Sequence, residues 1–117
     1  MRLPSRWRRG RAAAWLAAAL LASPAAIAQE DGKDVFHNYC SSCHGADGRA
    51  QTSPGHYYRI PDWTATDAVR KLSDEQIRTQ IRTGKLRPDV FGMPAFRSLS
   101  DAQVDALIAF VRKLASK

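Results

Sequence analysis

Cysteine and methionine are both scarce in this 117-residue chain, which contains two of each. Two cysteines allow one disulfide at most, which excludes a small domain held together by several disulfides. The longest apolar run covers residues 12–22 and is too short for a typical membrane-spanning helix. The alternation of apolar and polar residues that marks a half-buried strand is absent after residue 28. These absences favour one small all-α domain.

The first 28 residues have the pattern of an export signal. Arginines crowd the start, an apolar run from Ala12 to Ala22 follows, and Ala26-Ile27-Ala28 provides a small-x-small cleavage site. We therefore expect residues 1–28 to be a cleavable signal peptide and residues 29–117 to form an exported, periplasmic domain. The alternative is an uncleaved leader that tethers the domain to the membrane. The arginines of the leader are Arg2, Arg6, Arg8, Arg9 and Arg11.

Most of the positive charge of the chain lies in this leader. The whole chain has 18 basic and 11 acidic residues, a formal net charge of +7, but five of the arginines precede Gln29. The domain after the leader is therefore close to neutral. Neither nucleic acid nor an anionic membrane surface is indicated as a partner.

Both cysteines belong to one motif, Cys40-Ser41-Ser42-Cys43-His44. A C-x-x-C-H run is typical of covalent haem attachment, in which the two thiols add to vinyl groups and the histidine ligates the iron. Cysteines three residues apart lie on one side of a helical turn, within reach of neighbouring vinyl groups. We therefore expect Cys40 and Cys43 to attach one haem c, and His44 to ligate its iron.

Three other sites would use the same cysteines. A thiol-disulfide redox pair normally lies in a βαβ setting, which the sequence does not indicate, and it does not call for His44. A structural zinc site needs four ligands and would have to recruit His37 or His56. A disulfide between Cys40 and Cys43 would close too short a loop to stabilise the domain much.

The domain is poor in large aliphatic side chains. Leu, Ile, Val and Phe make up only 18 of the 89 residues from Gln29 to Lys117, near the composition at which a chain does not fold alone. A buried haem would supply the missing apolar surface. We therefore expect the apoprotein to be largely unfolded.

Three helices are predicted. Apolar residues at three- and four-residue spacing predict one from Gly32 to Cys43. Ser73 and Ser100 each precede a glutamine by three residues, a capping-box pattern that predicts two further helix starts. The first of these helices should end at Gly84, and the second should run nearly to the end of the chain. Residues 45–65 show no apolar period and are predicted to be a loop that wraps the haem.

That loop carries candidates for haem contact. Tyr57, Tyr58 and Trp63 are its aromatic residues, and they or Arg59 could pack on the haem edge or bind a propionate. Ordinary packing explains each of them as well. The sequence leaves both interpretations open.

Met93 is the only methionine after the leader, and it lies in the irregular stretch Gly92-Met93-Pro94-Ala95-Phe96. A thioether suits haem iron opposite a histidine. We therefore predict Met93 as the second axial ligand, with His56 as its main competitor. His37 is expected to be a solvated helix residue. Basic residues near Met93 could steer acidic partners or simply be solvated: Lys85, Arg87 and Arg97.

Together these residues resemble a small monohaem class I c-type cytochrome of the exported bacterial type. The resemblance covers Gln29 to Lys117 and implies an all-α, cytochrome c-like fold, with three main helices and loops around one covalent haem. It also implies iron ligation by His44 and Met93. It is carried by the haem motif, the loop around Met93, and Gly32, Phe36 and Phe110.

The resemblance implies two further contacts. Gly32 and Phe36 would meet the C-terminal helix around Phe110. A proline carbonyl would accept from the second nitrogen of the ligand histidine and orient its ring, and Pro54 and Pro61 are both candidates.

The function that follows is one-electron transfer in the periplasm, with no enzymatic activity. The expected partners are unidentified redox proteins and, during maturation, the haem-attachment machinery; the domain is expected to be a monomer without stable membrane insertion. One alternative is a haem c subunit of a larger dehydrogenase, reductase or oxidase. Another is a ligand-binding or catalytic haem protein with an open iron position.

Overall fold

A computed structural model describes residues 31–85 and 92–117 of the chain. The predicted signal peptide, residues 1–28, and Arg87 lie outside these described residues. Five helices occur within the described part: α1 (Gly32–Tyr39), α2 (Ser41–His44), α3 (Ser53–Tyr57), α4 (Asp74–Thr83) and α5 (Asp101–Ala115). It contains no strand, and a single antiparallel bridge joins Lys85 to Met93. The all-α prediction is confirmed. None of the described helices is long and apolar enough to span a membrane.

The helix predicted from Gly32 to Cys43 is interrupted. Cys40 leaves the helical region of backbone space, with φ −124° and ψ −32°, and separates α1 from α2. The hydroxyl of Ser41 donates to the carbonyl of His37 at 2.7 Å. Hydrogen bonds of this kind compete with the regular ladder of a helix. Prediction of one continuous helix was therefore wrong at Cys40.

The predicted loop over residues 45–65 contains a short helix, α3. The hydroxyl of Thr52 accepts from the N–H of Gly55 at 2.9 Å and caps the helix, and Pro54 lies in its first turn. A threonine cap followed by proline is a recognised helix start. This helix was not predicted because residues 45–65 show no apolar period.

Both later helices begin as predicted. In α4 the side chain of Ser73 accepts from the N–H of Gln76, and the side chain of Gln76 accepts from the N–H of Ser73. Ser100 and Gln103 form the same reciprocal pair at the start of α5. Helix α4 ends at Gly84, whose φ of 74° suits glycine.

The core lies mainly between α1 and α5. Gly32 lets the two backbones approach closely, and the rings of Phe36 and Phe110 are 5.3 Å apart between centroids at 53°. These contacts confirm what the resemblance implied for Gly32 and Phe36. The buried cluster also takes in Cys40 and Trp63, and its other members are Val35, Val69, Ile77, Ile81, Leu99, Val104, Leu107, Ile108, Val111, Leu114 and Ala115.

Candidate functional site

Cys40 lies at the break between α1 and α2, and Cys43 lies within α2. Cys40 is buried and belongs to the core cluster, whereas Cys43 is half-buried. Neither forms a disulfide. Burial, and secondarily the neighbouring Cys43, raises the pKa of Cys40 to about 12, so its sulfur is held as a neutral thiol. The structure therefore presents two cysteines, neither of them in a disulfide, about one helical turn apart.

His44 is the last residue of α2 and is half-buried. Its ring lies on that of Trp63, with centroids 4.4 Å apart and planes tilted by 32°. Its Nδ1 atom is buried and has no hydrogen-bond partner among the described residues. Burial lowers the pKa of His44 to about 4, so the imidazole is neutral near pH 7.

The turn after the motif holds these residues in place. The hydroxyl of Thr52 donates to the carbonyl of Cys43 at 2.7 Å, and the N–H of Ala50 donates to the carbonyl of His44 at 2.8 Å. The same turn also holds Trp63, because the main-chain N–H of Trp63 donates to the carbonyl of Gly48 at 3.0 Å. The α2–α3 connection thus fixes both the main chain of the motif and the ring that packs on His44.

Met93 is half-buried and packs against the core cluster that contains Cys40 and Trp63. Its carbonyl accepts from the N–H of Lys85 at 2.9 Å. Its sulfur lies 3.8 Å from the Nε2 atom of Gln80, which donates to it. Gln80 of α4 therefore contacts the side chain of Met93, and Lys85, two residues after α4, contacts its main chain.

The other predicted contact residues occupy different places. Trp63 is buried on His44, but Tyr57 is 68% exposed and packs edge-on against Tyr58 at 5.0 Å between centroids. Arg59 is exposed, with a left-handed φ of 54°. His37 and His56, the rival ligands, are both exposed, as are Lys85 and Arg97.

The proline contact implied by the resemblance does not form in this structure. Neither Pro54 nor Pro61 accepts a hydrogen bond from Nδ1 of His44, since that atom has no partner among the described residues. The carbonyl of Pro54 accepts instead from the N–H of Tyr58 at 2.8 Å, within the turn that ends α3.

Two residues of the site went unrecognised in the sequence: Thr52 and Gln80. The cap position of Thr52 before Pro54 was a usable signal, because it predicts the α3 turn beside the motif. The sequence signal for Gln80 was weaker. Gln80 precedes Gly84 by four residues and so lies on the face of α4 that leads to the Met93 loop.

The residues present fit a covalently held haem. Two unpaired cysteines stand beside a neutral imidazole with a buried, unpartnered nitrogen, and a polar atom buried without a partner is costly unless another group satisfies it. The zinc alternative fits less well. Within residues 31–85 and 92–117, no three His, Cys, Asp or Glu residues are grouped so as to hold a metal ion.

Comparison with known proteins gives a consistent result. The family model described as cytochrome C oxidase, cbb3-type, subunit III matches residues 27–111. The solved structure of the KustC0563 c-type cytochrome is 32% identical and superposes with a TM-score of 0.61, over 73% of this chain and 98% of that one. A tyrosine-to-phenylalanine mutant of that cytochrome gives 33% identity and a TM-score of 0.60, over 73% and 99% of the two chains.

A curated relative is similar over the same part of the chain. Lupanine 17-hydroxylase [cytochrome c] of Pseudomonas sp is 33% identical over 89 residues, which is 75% of this chain. The chain spans only 11% of the length of that relative. From the family match, the similar solved structures and the all-α fold, the chain belongs to the cytochrome c family, and its domain is of the kind that binds haem c and transfers electrons.

Proposed function

We propose that this domain is an exported one-electron carrier with a single haem c. In the proposed site the haem is attached through Cys40 and Cys43 and its iron is ligated by His44 and Met93. The bound haem would supply the one-electron Fe(III)/Fe(II) couple. The chain would set the environment of that couple and present it to redox partners.

The observation that carries the proposal is the state of His44. The residue is half-buried with its ring packed on that of Trp63, and its buried Nδ1 atom has no partner among the described residues. In a structural histidine both nitrogens are normally satisfied by the protein or by water. Here the ring is instead held by stacking, and its neighbours in the sequence are two unpaired cysteines. This combination suits a ligand to iron better than a residue that serves packing.

Met93 supports the same assignment. The competing histidines are exposed, whereas Met93 packs against the cluster that contains Cys40. Its main chain is held by a hydrogen bond from Lys85, two residues after α4. A thioether delivered by a fixed loop would saturate the iron opposite His44 and leave no position for a substrate. The proposal is therefore a carrier without catalytic activity.

Residues near Met93 suggest how partners dock. Lys85 and Arg97 are exposed on either side of Met93 in the sequence. Cations placed around the point of electron transfer would speed association with acidic redox partners and make it sensitive to salt. We propose such partners for the domain, which would act as a monomer.

The spectrum of the matured protein tests the ligand assignment. The chain is produced with haem-attachment machinery, and visible and near-infrared absorption is recorded for the oxidised and reduced forms. We expect a covalently held, low-spin haem with the weak band of a methionine–iron bond, which Met93→Ala abolishes and the control His56→Ala leaves intact. A low-spin wild type without that band would reject Met93, and its conversion to high spin in His56→Ala would identify His56 as the ligand. A high-spin wild type would also reject Met93 and would favour an open iron position.

Export is tested separately by the mature N-terminus. We propose that residues 1–28 are removed after Ala28 and that the domain then acts in the periplasm. Mass spectrometry of the periplasmic protein should give a chain that begins at Gln29 and carries one haem. A full-length chain recovered from the membrane fraction would instead support the tethered alternative.

A second candidate is a haem c unit of a larger redox enzyme. The family description names an oxidase subunit, and the curated relative is a hydroxylase many times longer than this chain. On this candidate the same haem site would receive or deliver electrons within one assembly. Native size exclusion of extracts from cells that express the chain at its natural level distinguishes the two. Elution at the size of a single domain favours the free carrier, and co-elution of the haem with a larger redox enzyme favours the subunit.

A further inference from the structure

We infer that a groove between α1 and the end of α5 is a docking site for the acidic surface of a redox partner protein. The groove has a volume of about 670 Å³. Among the described residues, those that line it come from α1, α2, the α2–α3 connection and the C-terminal end of the chain, and none comes from α4 or from the loop around Met93. It is therefore a surface separate from the cations at Lys85 and Arg97, and its use does not depend on ligation of the iron by Met93.

Helix α5 gives the groove an apolar wall. Phe110 and Leu114 both line the groove, and they lie four residues apart, so they share one face of the helix. Leu114 is buried, whereas Phe110 is only half-buried. Apolar contact surrounded by a polar rim is the usual arrangement of a protein–protein interface. An apolar side chain of the partner could therefore cover Phe110.

Lysines give the groove its charge. Lys33 of α1, Lys113 of α5 and Lys117 line it, and all three are exposed. None of them forms an ion pair within the described residues, whereas each arginine of α4 and α5 pairs with an aspartate. The acidic side chain that lines the groove, Asp47, is paired with Arg49 at 3.7 Å. The lysines are therefore available to acidic groups of another molecule.

Helix stability does not account for Lys33. It lies in the first turn of α1, where the helix dipole disfavours a cation. Lys113 lies in the last turn of α5, where the dipole favours one. The two lysines thus place positive charge on both helices that border the groove, and only one of them has a local reason to be there.

The shape of the groove favours a protein over a membrane as the occupant. A flat layer of anionic headgroups would reach exposed lysines but would not enter a concave site between two helices. An acidic protein surface with one protruding apolar side chain would contact both the lysines and Phe110. The groove also borders the haem motif, because Ser41 belongs to the motif and Gly45 follows His44. A partner held there would lie close to the site of electron exchange.

The test is a titration of the isotope-labelled, reduced holoprotein with the peptide acetyl-Glu-Glu-Leu-Glu-Glu-amide, followed by amide chemical shifts. We expect weak binding in fast exchange that shifts the amides of Ser41, Gly45 and Phe110. A second peptide has glycine in place of leucine. It should bind about three to ten times more weakly, because the apolar contact with α5 is lost.

Two double variants of equal charge locate the binding. Lys33→Gln with Lys113→Gln should weaken binding of the leucine peptide about three- to fivefold, because each exposed charge contributes little by itself. Lys85→Gln with Arg97→Gln removes the same charge from the surface near Met93 and is the matched control. The control should shift the same amides and bind the peptide as tightly as wild type does.

Several outcomes would overturn the inference. Unshifted amides at Ser41, Gly45 and Phe110 with millimolar peptide would reject the groove, and equal weakening in the two double variants would show that only net charge attracts the peptide. Loss of binding in the Lys85 and Arg97 variant alone would assign docking to the surface near Met93. Vesicles of phosphatidylglycerol that bind through the groove lysines while the peptide does not would identify a membrane as the occupant. None of these results changes the ligation of the iron, which the absorption spectrum tests by itself.

Discussion

Gly32 lies directly on the backbone of Ala106, where helix α1 meets helix α5. A Cβ at position 32 would be 2.0 Å from the carbonyl oxygen of Ala106 and 2.5 Å from its carbonyl carbon. One turn further along α1, Phe36 packs against Phe110 of α5. The absence of a side chain at Gly32 therefore determines how closely the two helices that frame the core can approach. The haem motif follows directly from α1, so this contact also positions Cys40.

Gly32→Ala should destabilise the domain although alanine favours helices. The new methyl group would meet backbone that cannot rotate away, and overpacking of this kind costs about 2 kcal/mol, or about 10 °C in thermal midpoint for a domain of this size. Thermal unfolding of the holoprotein measures the change. Lys33→Ala, at the exposed next position, should stay within about 0.5 kcal/mol of wild type. Equal midpoints for Gly32→Ala and Lys33→Ala would show that α1 and α5 can separate at no cost.

The helical frame was predictable because its signals are local. The capping boxes at Ser73 and Ser100 involve residues three apart, so each can be read without knowledge of the rest of the fold. The break at Cys40 and the short helix α3 were missed for a related reason. Both depend on side-chain hydrogen bonds, from Ser41 and to Thr52, that apolar periodicity does not report.

Arg112 links α5 to the segment that precedes α4. Its guanidinium donates to the carbonyls of Val69 and Leu72 and, at 2.8 and 2.9 Å, to the carboxylate of Asp74. We expect Arg112→Met to cost about 1–2 kcal/mol, because two part-buried carbonyls lose a charged donor while the apolar stem is kept. Urea unfolding of the holoprotein gives the free energy.

Asp74→Asn is the matched control for that experiment. The carboxylate is 69% exposed, and an exposed ion pair contributes no more than about 1 kcal/mol. We therefore expect the free energy of unfolding to fall less in Asp74→Asn than in Arg112→Met. Equal losses would mean that the ion pair, and not the bonds to the two carbonyls, is what Arg112 contributes.

Asp62 should make stability depend on pH in the acid range. Hydrogen bonds from the side chain and then the N–H of Thr64, and from the N–H of Ala65, hold the pKa of Asp62 below its ordinary value of 3.8. Because the pKa is lower in the folded state, the contribution of the carboxylate is complete above about pH 4, the unfolded value. It is lost as the pH falls through the depressed pKa.

Thermal midpoints at several pH values test this dependence. Asn at position 62 can still accept from Thr64 but does not titrate. The midpoint of wild type should exceed that of Asp62→Asn above about pH 5, and the difference should shrink as the pH falls further. Asp67→Asn replaces an exposed carboxylate whose side chain makes no hydrogen bond within the described residues, and it should follow wild type at every pH. A difference between wild type and Asp62→Asn that grows on acidification would contradict the sign argued here.

Only part of the candidate site could be predicted from the sequence. The cysteines and His44 form one contiguous motif, and Met93 is a lone methionine between glycine and proline, so all four can be named without a fold. The residues that pack on His44 or donate a hydrogen bond to Met93 come from distant segments of the chain. The ring of Trp63 reaches His44 from 19 positions away, and Gln80 reaches Met93 from 13. Only the fold brings these pairs together, and no periodicity encodes them.

The last prediction concerns what holds the domain together without haem. Two members of the core of the described residues are tied to the haem motif, since Cys40 belongs to the motif and Trp63 packs on His44. A core that borders the cofactor in this way should lose much of its stabilisation when the cofactor is absent. We expect the double variant Cys40→Ser, Cys43→Ser, produced without haem, to have far less helix than the holoprotein by circular dichroism and no cooperative thermal transition. The holoprotein, with the same five helices, should melt cooperatively. A sharp, native-like transition in the haem-free variant would show instead that the packing of α1 on α5 is sufficient to fold the domain.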